Sequence, residues 1–81
     1  QFDVHREFRT AYEPYIADPA VRTVVLDFSA GDYLDSSALG MLLLLREKLG
    51  NVRKEVELTG THGMVKQVLE IANFARLFRI A

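Results

Sequence analysis

The sequence predicts an α/β fold in which helices cover a largely parallel sheet. Segments of helical and strand periodicity alternate in the order helix, strand, helix, strand, helix, short strand. That order implies crossover connections, which parallel strands require. Turn residues separate the segments at Asp18-Pro19, Ser29-Ala30-Gly31-Asp32, Gly50-Asn51 and Gly60 to Gly63.

Helix one is expected over Val4 to Ala17, where Phe8, Ala11, Tyr12, Tyr15 and Ile16 recur at helical spacing behind Asp3 as N-cap. Pro14 disfavours helical Glu13, so the helix either kinks or finishes early, and Asp18-Pro19 is a definite stop. Val21 to Phe28 is a nearly continuous apolar run, read as the central strand covered on both faces. Helix two opens at Asp35-Ser36-Ser37 and runs to about Leu49. Glu55 to Thr59 alternates polar and apolar and reads as a half-buried strand near a sheet margin. Met64, Val65, Val68, Leu69 and Ala72 share one face of helix three, which ends near Asn73. Phe74 to Ile80 is expected to add a short closing strand.

Composition narrows the function classes. A chain of 81 residues, 49% hydrophobic, supports one core, so one domain over 1–81 is expected. Ten basic residues against eleven acidic ones give none of the basic surplus that drives binding to nucleic acid phosphates. The absence of cysteine removes disulfides and thiolate chemistry and points to a cytoplasmic setting. The apolar stretch Ala38 to Leu45 is broken by Gly40 and falls short of the ~20 residues a membrane span needs. Gln1-Phe2-Asp3-Val4-His5 lacks a signal-peptide pattern, so neither export nor membrane insertion is expected.

The residues that carry chemistry gather at helix two. Asp35 or Ser36 can accept from unpaired N–H groups of the first turn, a stabilisation of ~1 kcal/mol. On a helical wheel Ala38, Leu42, Leu45 and Leu49 form the core face, with Leu39 and Met41 at its margins. Leu43 and Leu44 fall outside it, beside Gly40 and Glu47, giving more apolar surface than packing on one sheet face requires. They serve either as contacts for a partner or second copy, or as packing under helix one or three. Gly40, which weakens a helix by ~1 kcal/mol relative to alanine, marks either the approach of another backbone or close packing within the domain.

Val24-Val25-Leu26-Asp27-Phe28 followed by Tyr33-Leu34-Asp35-Ser36-Ser37-Ala38-Leu39-Gly40-Met41 resembles the signature of STAS domains, an apolar strand, a turn and then Asp-Ser-Ser-Gly-Leu-Gly at a helix start. Gln1-Phe2-Asp3 resembles the family's segment before helix one, and Val68 to Phe74 with Leu77-Phe78 resembles its last helix and strand. Two departures stand out: Ala38 replaces the commoner glycine, and the chain starts where the family has already formed N-terminal strands. The resemblance therefore implies a STAS-like, mostly parallel or mixed sheet lacking those strands, with an uncovered edge through which a homodimer could form.

By function, the resemblance implies an anti-sigma-factor antagonist, not an enzyme and without a cofactor, that acts by partner switching. The unmodified form binds an anti-sigma factor with serine kinase activity, phosphorylation of Ser36 ends binding, and a PP2C-type phosphatase restores it. Ser37 is the less favoured acceptor. Asp35, Ser36, Ser37, Gly40, Leu43 and Leu44 are then the expected partner-binding residues. The family also allows an accessory module of a transporter or lipid-trafficking system. A separate alternative is a nucleotide or small-ligand sensor using the loop before helix two or helix three, although no glycine-rich cradle supports it.

Other signals carry less. His5 and His62 lie far apart with no cysteine beside them, which does not suggest a metal site. Ser36, His62 and Asp35 can be written as a catalytic triad, but no nucleophile-elbow pattern surrounds the serine. Gly60-Thr61-His62-Gly63 lacks the length and lysine of a phosphate-cradling loop. Arg46, Lys48, Arg53 and Lys54 read as the solvated, cationic end of helix two.

Overall fold

The computed structural model describes residues 4–81, so the expected N-cap Asp3 lies outside the described residues. The elements are α1 (Val4–Ala17), β1 (Thr23–Asp27), α2 (Ser36–Asn51), β2 (Glu55–Thr59), α3 (Gly63–Ile71), a 3-10 turn (Phe74–Arg76) and β3 (Arg79–Ile80). Helix α1 continues through Pro14 to Ala17 and does not finish early. Its last turn holds no basic residue. Instead Lys54 Nζ donates to the carbonyls of Tyr15 at 2.6 Å and Asp18 at 2.5 Å, supplying partners to acceptors that a helix end leaves unpaired.

The three strands are parallel in the order β1-β2-β3, with Val25 opposite Glu57 and Glu57 opposite Arg79. Leu45 and Leu49 of α2 and Val65 and Leu69 of α3 share one buried cluster with Val24, Val56 and Leu58, so both helices cover the same sheet face. Val24, Val56 and Leu58 are buried there, while Val25 on the opposite face is 52% exposed. Across that open face Arg79 Nε meets Glu57 Oε2 at 3.1 Å.

The strand order differs from the expected one. The apolar run at β1 is an edge strand covered on one face among the described residues, whereas β2 is the central strand. Alternation in Glu55 to Thr59 reports that one face is covered, and it carries no information on whether a strand is central or marginal.

Leu45, Leu49, Leu58 and Val65 are fully enclosed, and Tyr12 of α1 and Phe74 and Phe78 near the C-terminus close the same core. On α3, Val65 and Leu69 are buried but Met64 is 51% exposed, because it lies about 100° from Val65 on the helix. Ala72 follows the helix end and is exposed. Asn73 takes the left-handed conformation at φ 61°, as expected for the stop after α3. Phe74 to Arg76 form a 3-10 turn and not a strand, so the closing strand is confined to Arg79–Ile80.

One glycine fixes the exit from β2. Gly60 has φ +67°, and a Cβ there would lie 2.8 Å from Asp27 Oδ1 and 2.9 Å from Ser29 N. Those two atoms are themselves hydrogen-bonded at 2.8 Å. Gly60→Ala therefore combines a left-handed alanine with a collision against backbone, and is expected to lower unfolding free energy by about 2 kcal/mol or more. Gly63→Ala, at φ +54° with open space around the added methyl, is the control. Its loss in a urea titration should be clearly smaller; equal losses would contradict the collision.

Candidate functional site

The site begins where the chain leaves β1. Phe28 N–H extends the ladder to the Thr59 carbonyl at 2.8 Å, and Gly31 N–H closes a turn on the Phe28 carbonyl at 3.0 Å. Leu34 is buried at 7% exposure and anchors the returning loop, while its neighbour Tyr33 points to solvent. Burial of Leu34 delivers Asp35 in extended backbone, φ −110° and ψ 178°, directly before the first turn of α2.

Asp35 is the N-cap. Its Oδ1 accepts from Ala38 N–H at 2.9 Å, and its carbonyl accepts from Leu39 N–H at 3.0 Å. The carboxylate also faces the positive end of the helix dipole. Asp35→Ala is therefore expected to cost about 1 kcal/mol in chemical denaturation, with Ser36→Ala costing clearly less. The reverse ranking would assign the cap to Ser36.

The capping choice frees Ser36. It is exposed at the first position of α2, and its hydroxyl has no hydrogen bond among the described residues. Ser37 differs: its Oγ lies 2.9 Å from His5 Nε2 on α1. His62 Nε2 is bonded to the Ser29 carbonyl at 3.1 Å, so no Ser36–His62 pair forms.

Beyond Ser36, the outward face of α2 is an exposed ridge. Leu42, Leu45 and Leu49 point into the core. At about 100° per residue, Ser36, Gly40, Leu43, Leu44 and Glu47 fall on the side away from them, with Leu44 on the flank nearer α1. Leu43 is 41% and Leu44 47% exposed, so neither is buried under α1 or α3. Leu44 borders a shallow hollow shared with His5, Phe8 and Tyr12 of α1, whereas Leu43 stands free of it. A Cβ at Gly40 would meet nothing within 4 Å, so close packing among the described residues does not account for this glycine.

The basic residues at the far end of α2 do more than meet solvent. Arg46 Nε donates to the Leu77 carbonyl at 2.8 Å, Lys48 Nζ sits 5.8 Å from the Tyr12 ring centroid, and Lys54 ties down the end of α1. Near the site, the Ser29 backbone N–H and then its hydroxyl hold the Asp27 carboxyl below its ordinary range by bonding to the charged form. The role of Ser29 and the pairing of His5 with Ser37 had no signal in sequence periodicity, because both depend on where loops and α1 come to rest.

The STAS domain family model matches residues 2–81. The chain belongs to the STAS domain family. Its three helices and parallel three-stranded sheet among the described residues agree with the α/β, STAS-like fold expected from the sequence. This STAS domain is similar to the STAS-domain containing protein PA14_20770 of Pseudomonas aeruginosa, with 44% identity over 80 residues that make up 99% of this chain and 77% of that protein. It is also similar to BtrV of Bordetella bronchiseptica, whose name proposes an anti-sigma factor antagonist. That identity is 36% over 64 residues, covering 79% of this chain and 55% of BtrV. No helix among the described residues is long and apolar enough to cross a membrane.

Proposed function

We propose that this STAS domain, taken as one unit over residues 1–81, is an anti-sigma-factor antagonist that works by partner switching. The observation that carries the reading is the Ser36 hydroxyl, exposed and unbonded among the described residues, at the head of a ridge formed by Gly40, Leu43 and Leu44. Similarity to BtrV supports the same class. Unmodified protein binds an anti-sigma factor that is also a serine kinase and so frees the sigma factor. Phosphorylation of Ser36 ends binding, and a PP2C-type phosphatase restores it. The domain acts as ligand and kinase substrate, not as an enzyme, in the cytoplasm and without contacting nucleic acid.

The physics of the switch is local. Phosphorylation adds about −1.5 to −2 charges at pH 7. The first turn of α2 tolerates them through its dipole, so the fold survives. The partner does not tolerate them: next to the Asp35 carboxylate, the new charge must be desolvated against a surface shaped for a hydroxyl. Incubation with an anti-sigma serine kinase and ATP should place phosphate mainly on Ser36, as mapped by mass spectrometry. Phosphate mainly elsewhere, or none, would contradict the assignment.

A further inference from the structure

We infer that His5 determines which serine of Asp35-Ser36-Ser37 accepts phosphate, by holding the Ser37 hydroxyl against α1 and leaving Ser36 as the acceptor. The inference rests on the reading of Ser36 as a phosphorylation site.

The three side chains of the motif have three different fates. Asp35 Oδ1 is occupied by Ala38 N–H at 2.9 Å, and Ser37 Oγ is occupied by His5 Nε2 at 2.9 Å. Ser36 has no such bond among the described residues. Ser36 faces away from the core, and Ser37, one residue and about 100° further round, turns toward the helix that carries His5.

Both serines are otherwise alike, neighbouring primary alcohols in one helical turn. In phosphoryl transfer the serine Oγ attacks the γ-phosphorus of ATP, the bond to the ADP oxygen breaks, ADP leaves, and the hydroxyl proton passes to a base on the kinase. Ser37 must first give up its bond to His5 and rotate away from α1. This holds for either imidazole tautomer. If the hydroxyl donates to Nε2, its proton and rotamer are held; if the ring N–H donates, an attacking lone pair is held. Ser36 meets neither constraint.

His5 is exposed, so replacing it leaves the core untouched. The test maps phosphate on wild type, His5→Ala and His5→Gln after treatment with an anti-sigma serine kinase and ATP. Gln keeps a terminal nitrogen close to the place of Nε2 and should retain the wild-type pattern. His5→Ala should raise the ratio of phospho-Ser37 to phospho-Ser36 about fivefold, the discrimination a single hydrogen bond sustains. Thermal unfolding should not change. In a Ser36→Ala background, adding His5→Ala should speed modification of Ser37 by a similar factor. An unchanged ratio would overturn the role of His5 while leaving Ser36 as the phosphorylation site. A fall in Ser37 modification would also overturn it, by showing His5 to be a base for Ser37. Wild type modified at neither serine would instead overturn the reading on which the inference rests.

Discussion

Leu45→Ala is expected to lower the unfolding free energy by about 2–5 kcal/mol, while Leu43→Ala, two residues away, should change it by no more than about 0.5 kcal/mol. Leu45 is fully enclosed between α2 and the sheet, and truncation leaves a cavity that its close-packed neighbours cannot fill. Leu43 is on the opposite side of the same helix and is 41% exposed. A domain of this size has roughly 4–12 kcal/mol of stability, so the first substitution removes a large part of it and the second almost none. Thermal denaturation separates the two readily, since each kcal/mol moves Tm by about 4–8 °C in a small domain. Comparable losses would place Leu43 in the core and remove it from the recognition ridge.

Phosphorylation of Ser36 is expected to weaken partner binding by roughly 100-fold or more, the effect of burying an uncompensated charge that costs about 3 kcal/mol. Ser36→Asp should weaken binding in the same direction but less, because a carboxylate carries less charge and fewer oxygens than a phosphoryl group. Ser36→Ala should bind like the unmodified protein and keep that affinity when the kinase and ATP are present, with Ser37 modified only slowly. Since Asp35 is the residue that caps α2, the alanine variant keeps its helix start, and a change in its binding cannot be ascribed to misfolding.

The sequence made some features plain and others not, for separable reasons. Two helix ends were legible because they are local: Asp35 before the apolar pattern and Asn73 after α3 each act through neighbouring backbone groups. Gly50-Asn51 did not end α2, which includes both residues and stops before Arg53 at φ 59°. The core face of α2 was legible because Leu42, Leu45 and Leu49 obey one period. The order of strands was not. Val24 to Phe28 is apolar enough for a strand covered twice, yet Val25 is half exposed in the described residues because both crossover helices lie on one face.

Within the site, Asp35 and Ser36 could each have capped the helix, and the choice depended on the extended backbone that buried Leu34 imposes on Asp35. The pairing of His5 with Ser37 joins residues 32 positions apart, and that of Lys54 with the end of α1 joins residues 39 and 36 apart. No periodic signal spans such a distance.

In the proposed switch, one phosphoryl group on Ser36 decides whether the ridge of α2 can be bound. Calorimetric titration of a purified anti-sigma partner with unmodified protein and with protein stoichiometrically phosphorylated at Ser36, both shown to be folded, measures this directly. The unmodified form is expected to bind tightly, and the phosphorylated form with a Kd raised by roughly 100-fold or more. Equal affinity of the two forms would contradict the switch.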